Sequence, residues 1–363
     1  MIADDRWMSL ALQLAEKGRF TTHPNPRVGC VLVKDDQVIG QGWHHQAGQP
    51  HAEINALADA KAQGNATEGA TAYVTLEPCS HHGRTGPCCQ ALAKAKVVRV
   101  VAAMQDPNPQ VAGKGLGYLQ NQGIITTSGV QQAAARALNV GFLSRMEKGR
   151  PWIRLKLAMS LDGRTAMDNG QSKWITSAAA RADVQRMRAE ADAILTATGT
   201  LLADDPKLDV RDEGAFQLPE LHRQPLRVIV DSKLQTPHQA RIFESNGQVL
   251  IASAIKGEHP QAEVVQLPQQ NSQRVDLIRL MDLLGQREIN QIHVEAGPVL
   301  AASLLKAGLV DELVVYMAAK LMGNTARGLF DLPELQQMAD AIDLQIQDIR
   351  AIGKDWRITA TVL

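Results

Sequence analysis

The sequence predicts a two-domain α/β protein, and three observations carry that expectation. At 363 residues the chain is longer than one ordinary core needs and suits two. Hydrophobic residues make up 45% and charged residues 21%, the balance of a soluble globular protein. Helical and extended patterns alternate through both halves, as layered α/β folds require. Met146-Glu147-Lys148-Gly149-Arg150-Pro151 has few apolar residues and a Gly/Pro pair. The boundary is placed there, giving residues 1–146 and 147–363.

In the first half, Trp7, Met8, Leu10, Ala11, Leu14 and Ala15 fall at helical spacing between Asp4 and Lys17, with Gly18 as a stop. Val28–Lys34 and Val38–Trp43 flank Asp35-Asp36-Gln37 and read as a hairpin. His51–Gln63 reads as a helix ended by Gly64, with His51 and Glu53 on its first turn. Thr71–Leu76 reads as a strand, Cys88–Lys96 as a helix opened by Pro87, and Val97–Met104 and Gly123–Thr127 as further strands. Gly113-Lys114-Gly115-Leu116-Gly117 lacks the dinucleotide spacing and is read as a loop. In the second half, strands are expected at 152–158, 193–196, 226–231, 249–252, 291–295, 312–318, 344–352 and 356–362. Helices are expected at 177–189, 275–284 and 300–307.

Composition narrows the function. Lys+Arg and Asp+Glu number 38 each, so no basic excess exists to neutralise a nucleic-acid backbone. No apolar run approaches membrane-spanning length, and Met1-Ile2-Ala3-Asp4-Asp5-Arg6 is unlike a signal peptide. Four cysteines in so long a chain do not form a disulfide framework; a reducing cytoplasm is expected. Cys30, within Val28-Gly29-Cys30-Val31-Leu32-Val33, reads as a small buried hydrophobe.

The chemistry concentrates in His51-Ala52-Glu53, Pro78-Cys79 and Cys88. One imidazole and two thiols suit tetrahedral Zn²⁺ with an open fourth position. Glu53 stands too near His51 in sequence for a comfortable fourth ligand, but well placed as general acid/base. A structural zinc site would need a fourth donor; adjacent Cys89 is a poor one, whereas His81 or His82 could serve. In the second half, Ile292–Pro298 reads as a buried strand turning at Gly297 into a helix through Ser303. That turn is either a phosphate cradle or plain architecture. Ser160–Thr165 and Gly199–Pro206 are polar, turn-rich segments after strands, suggesting a rim of ligand-binding loops or simple capping.

Taken together, Thr22–Gly29, His51-Ala52-Glu53, Glu77–Thr85 with its long insert before Cys88, Asp106–Pro109, Ser160–Thr165, Leu202–Pro206 and Val294–Pro298 resemble one family. It is the bifunctional riboflavin-biosynthesis deaminase/reductase family, and the match runs in order along nearly the whole chain. The resemblance implies an N-terminal cytidine-deaminase-like α/β layered domain and a C-terminal dihydrofolate-reductase-like α/β domain. It implies zinc on His51, Cys79 and Cys88, with Glu53 catalytic in removing the exocyclic amine of 2,5-diamino-6-(5-phosphoribosylamino)pyrimidin-4-one. Asn25, His44, His81, Arg84 and Asn108 match substrate positions, with Arg84 suited to phosphate, although Asn25 and Asn108 also fit as turn caps beside prolines.

The second implied reaction reduces the ribosyl group to ribityl with NADPH. The resemblance places cofactor on Ala158, Trp174, Thr200, Asp204, Ser232, Gly297, Pro298, Val299, Leu300, Ala301, Ala302 and Ser303. It places substrate on Ser172, Arg188, Leu208, Arg211 and Glu295. Glu295 and Asp204 are candidates for an acid, or for hydroxyl binding. Small phosphorylated pyrimidines are the expected partners, without nucleic acid or membrane, in a homo-oligomer with a dimer favoured. A deaminase of free nucleosides or tRNA, and a zinc-stabilised binding protein without turnover, are the competing readings.

Overall fold

The computed structural model describes residues 2–80, 86–109, 111–214, 216–217, 223–333 and 335–363. The chain divides into two compact units, Met1–Gly149 and Arg150–Leu363. No helix among the described residues is long and apolar enough to cross a membrane.

The first unit contains α1 (Ile2–Glu16), β1 (Gly29–Lys34), β2 (Gln37–Trp43), α2 (Ala52–Ala62), β3 (Thr71–Val74) and α3 (Cys88–Lys94). It continues with β4 (Arg99–Ala102), α4 (Lys114–Asn121), β5 (Ile125–Ser128), α5 (Gln132–Leu138) and α6 (Val140–Lys148). Its five-stranded sheet runs β2-β1-β3-β4-β5. The β1/β2 and β1/β3 pairs are antiparallel and the β3/β4 and β4/β5 pairs parallel. Asp35 and Asp36 turn the hairpin with φ of 49° and 57°, the conformation that two-residue hairpin turns demand.

Alternation along β1 divides the interior into two cores. Val31 and Val33 join Trp7, Met8, Ala11 and Leu14 of α1 on one face. Cys30 and Leu32 join Ala52, Ala56 and Ala60 of α2 on the other. Small residues let α2 lie close to the sheet. A Cβ on Gly42 would stand 2.5 Å from the Ala56 nitrogen, and one on Gly40 would stand 2.5 Å from the Ala56 carbonyl oxygen. That close approach fixes the height of the helix start, where His51 sits as N-cap rather than within the first turn.

The second unit contains β6 (Trp152–Ser160), β7 (Arg164–Ala166), α7 (Ala178–Glu190), β8 (Ala193–Ala197), α8 (Thr198–Asp204), β9 (Leu226–Val230) and β10 (Val249–Ser253). It goes on with β11 (Glu263–Gln266), α9 (Leu277–Gln286), β12 (Gln291–Glu295), α10 (Pro298–Lys306), β13 (Glu312–Ala318), β14 (Arg327–Gly328), β15 (Leu344–Ile352) and β16 (Asp355–Val362). Nine strands form one sheet in the order β11-β10-β9-β8-β12-β6-β13-β16-β15. Pairs from β11 through β13 are parallel, and β16 is antiparallel to both neighbours. Parallel strands bring their carboxyl ends to one edge, where open α/β sheets hold ligands. The ends of β6, β8, β9 and β12 therefore collect segments separated by over a hundred residues.

Two segments expected to lack regular structure are helical instead. Gly113–Gly117 is the start of α4, not a loop, with Gly113 as N-cap at φ 75°. Thr198–Asp204 is a short helix, because Leu201 packs into the cluster of Ile194, Ile229 and Ile251. Polar composition had masked both.

Candidate functional site

In the first unit, three elements deliver three donors to one point. His51 caps α2, Cys79 follows β3, and Cys88 opens α3. Their ligating atoms all lie within 4.8 Å of one another. His51 Nδ1 stands 3.6 Å from Cys79 Sγ and 3.4 Å from Cys88 Sγ. The Cys88 backbone N–H donates to Cys79 Sγ at 3.3 Å, which favours the thiolate. The Cys88 hydrogen bond and His51 hold the Cys79 thiol down at about 4, while its contact with Cys79 and burial push Cys88 up. One imidazole and two sulfurs at this spacing are a donor set that fits Zn²⁺, since its bonds of about 2.0–2.3 Å need ligands a few ångströms apart.

Glu53 is buried beside this cluster, and its Oε2 has no hydrogen-bond partner among the described residues. Burial, then the Cys79 charge, raises its carboxyl to about 7. An unpartnered buried carboxyl oxygen costs free energy unless a ligand or water meets it. His44 is buried too, its ring edge-on to His51 with centroids 5.3 Å apart. Its Nδ1 lies 3.2 Å from the Pro50 carbonyl, which can only accept. Its Nε2 then faces Asn25 Nδ2 at 3.0 Å. Asn25 and His44 thus form one unit at the site. Asn108 belongs to the loop after β4, where its N–H donates to Asp106 Oδ1 at 2.9 Å. His81 and Arg84 lie outside the described residues. Cys89 packs with Leu92 and Cys30 in the core, and Cys30 is the small buried residue that the sequence led one to expect.

The second unit holds a cavity of about 1750 Å³ at the carboxyl edge of its sheet. Ala158, Ser172, Trp174, Arg188, Thr200, Asp204, Leu208, Arg211, Ser232, Glu295, Gly297, Pro298, Val299, Leu300 and Ser303 line it. Ala301 and Ala302 face the core instead. No atom of the described residues lies within 4 Å of where a Cβ would stand on Gly199 or Gly297, so the backbone there is open to a ligand. The volume is that of a pocket for a large cofactor with its substrate.

The two arginines expected at the substrate, Arg188 and Arg211, are already paired. Arg188 Nε and Nη2 meet Glu295 at 2.5 and 3.1 Å, and Arg211 meets Asp209 and Glu213 at 2.7 and 3.0 Å. Lys156 Nζ lies 3.8 Å from Glu295 and also lines the cavity. Sequence reading missed Lys156, although its signal was available. On β6 the buried Ile153, Leu155 and Leu157 alternate with Arg154, Lys156 and Ala158, so the lysine faces away from the main core.

Residues 1–104 match the cytidine and deoxycytidylate deaminase zinc-binding region, and residues 151–358 match the RibD C-terminal domain. The chain is 53% identical over 360 residues to the riboflavin biosynthesis protein RibD of Escherichia coli, covering 97% of each. It is 50% identical to that of Haemophilus influenzae, covering 98% of this chain and 96% of the relative. The chain belongs to the bifunctional riboflavin-biosynthesis deaminase/reductase family. The solved RibD structure of Acinetobacter baumannii superposes with a TM-score of 0.91 at 43% identity, covering 99% of both chains. A Thermotoga maritima diaminohydroxyphosphoribosylaminopyrimidine deaminase/5-amino-6-(5-phosphoribosylamino)uracil reductase gives 0.89 at 31% identity, also covering 99% of both. In the terms of this family, the first unit carries the zinc-binding deaminase fold and the second the reductase fold.

Proposed function

We propose that the chain deaminates 2,5-diamino-6-(5-phosphoribosylamino)pyrimidin-4-one in its first unit and reduces the ribosyl group of the product with NADPH in its second, in keeping with the expected domains 1–146 and 147–363. The observation that carries the first half is the convergence of His51, Cys79 and Cys88 within 4.8 Å beside the buried, unpartnered Glu53 Oε2.

His51, Cys79 and Cys88 would hold zinc. Bound there, the metal supplies a nucleophilic water at neutral pH. Glu53 Oε2 takes a proton from the attacking water and returns it to the departing amine. The bond between the ring carbon and its exocyclic amine breaks, a carbonyl forms on that carbon, and one water is consumed for each ammonia released. Asn25 and Asn108 orient the pyrimidine, His44 holds Asn25, and His81 and Arg84 are assigned to the substrate phosphate end.

In the second unit, Ala158, Trp174, Thr200, Asp204, Ser232 and the Gly297–Ser303 turn would hold NADPH, with Ala301 and Ala302 contributing backbone. Hydride transfer is the cofactor's own chemistry, so the protein's part is to align donor and acceptor. Ser172, Arg188, Leu208, Arg211 and Glu295 hold the substrate. With its fork held by Glu295, Arg188 would offer its remaining N–H groups, and Glu295 its remaining lone pairs, to the sugar hydroxyls.

The test supplies the full-length protein with the diaminopyrimidine phosphate and NADPH. Ammonia release together with loss of cofactor absorbance supports both halves. Ammonia without NADPH consumption removes the second, and no ammonia removes the first. We also infer a homodimer through the second unit, supported by the exposed Leu344, Ile346 and Ile349 along β15, an apolar strand at the sheet margin. Light scattering that returns the mass of one chain would refute it. A reducing cytoplasm suits two thiols that serve as metal donors.

A further inference from the structure

Gly113-Lys114-Gly115-Leu116-Gly117 opens α4 with a glycine-rich turn, a form that elsewhere cradles anions. Here the anion belongs to the chain itself. Glu77 is buried, and its carboxylate accepts four backbone N–H groups. Gly113 donates to Oε2 at 2.9 Å and Asp106 at 3.2 Å. Gly115 and Leu116 donate to Oε1 at 2.9 and 3.2 Å. A Cβ on Gly115 would stand 1.9 Å from the Pro78 carbonyl oxygen, so the helix start lies directly against the peptide that leads into Cys79. On the other side, the Cys89 N–H donates to the Cys79 carbonyl at 3.2 Å.

We infer that Glu77 and Gly115 are positioning residues for the metal ligand Cys79: the α4 N-terminus grips Glu77, seats Pro78 on Gly115, and fixes the sulfur for zinc. The inference rests on the zinc reading of His51, Cys79 and Cys88. Asp106 carries the same anchor onward, since its side chain accepts from the Asn108 N–H. The glycine-rich run therefore serves the first reaction by way of Glu77 and Pro78. Partners that orient a ligand in this way change metal affinity by about 10–100-fold when altered.

The test uses the full chain and zinc alone as probe, with affinity read by competition against a chromophoric chelator. Glu77→Gln keeps the size but turns an NH₂ toward N–H groups that need an acceptor. Gly115→Ala drives a methyl into the Pro78 carbonyl. Each variant is expected to bind zinc at least about tenfold more weakly, and to change the Co²⁺ absorption spectrum of the substituted site. NADPH-dependent reduction should stay at the native rate, reporting an intact second unit. Native zinc affinity and an unchanged Co²⁺ spectrum in both variants would overturn the inference. So would a lower melting temperature of the zinc-free chain with affinity unchanged, which would make Glu77 a stability residue only. If Glu77→Gln does not fold, Gly115→Ala reads the same contact from the opposite side. A native chain that bound no zinc would fail the functional reading itself, an outcome distinct from weakened binding in the variants alone.

Discussion

Arg188 and Glu295, 107 residues apart in sequence, form a two-point ion pair inside the reductase cavity, at 2.5 and 3.1 Å. Arg188 comes from α7 and Glu295 from the end of β12. Both are largely buried, and Lys156 at 3.8 Å and His293 at 3.5 Å stand on the same carboxylate. Cutting a buried pair leaves a charge without compensation, which costs about 3–5 kcal/mol. Arg188→Ala should therefore lower the stability of the second unit by roughly that amount and abolish NADPH oxidation. Ammonia release should persist. Calorimetry and the two separate assays check this.

The same pair predicts a pH dependence. Burial works against ionisation of Glu295, but the Arg188 charge, the nearby His293 ring and the Lys156 charge outweigh it and hold the carboxyl well below its usual range. A depressed acid stabilises the fold above its unfolded pKa, about 4.3 for Glu, and that stability is lost as pH falls through the folded value. Wild-type melting temperature should thus drop on acidification below about pH 4. Glu295→Gln should start lower and lose less over the same interval. Equal losses in the two proteins would speak against the assignment.

Glu53→Gln separates catalysis from structure. The amide keeps the volume and leaves His51, Cys79 and Cys88 untouched, so zinc should be retained. Deamination should fall at least about a hundredfold, the usual scale for a positioned acid/base. A binding protein that merely uses zinc for stability predicts no change in any assay.

Gly29→Ala tests the packing that places the first sheet. A methyl there would stand 2.0 Å from the Ala11 carbonyl oxygen and 2.8 Å from the Ala15 nitrogen. Helix α1 must move away from β1, and overpacking of this kind costs about 1–3 kcal/mol. Chemical denaturation should show a loss of that order, confined to the first unit's transition.

Much of this architecture was legible in the residues, and for identifiable reasons. β12, β13 and β15 span the expected residues 291–295, 312–318 and 344–352. The Asp35-Asp36 turn carries its own conformational signature. The metal donors stand out because imidazole and thiol are rare and chemically specific. Helix α4 was hidden because three of its first five residues, counted from Gly113, are glycine and Glu77, whose carboxylate accepts its first N–H groups, lies 36 residues earlier. No linear pattern shows that contact. α5 and α6 went unread because they are short and meet at Asn139, whose side chain accepts from the Arg27 N–H and donates to the Arg27 carbonyl. The pairing of Arg188 and Arg211 with carboxylates was equally invisible, since it depends on which strand ends converge.

The central claim is that three donors from separate elements grip one ion. X-ray absorption at the zinc edge of the purified, zinc-loaded full-length chain tests it most directly. The prediction is one zinc per chain, with two sulfur scatterers at about 2.3 Å and one imidazole nitrogen at about 2.0–2.1 Å. A shell built of nitrogen and oxygen alone would contradict it.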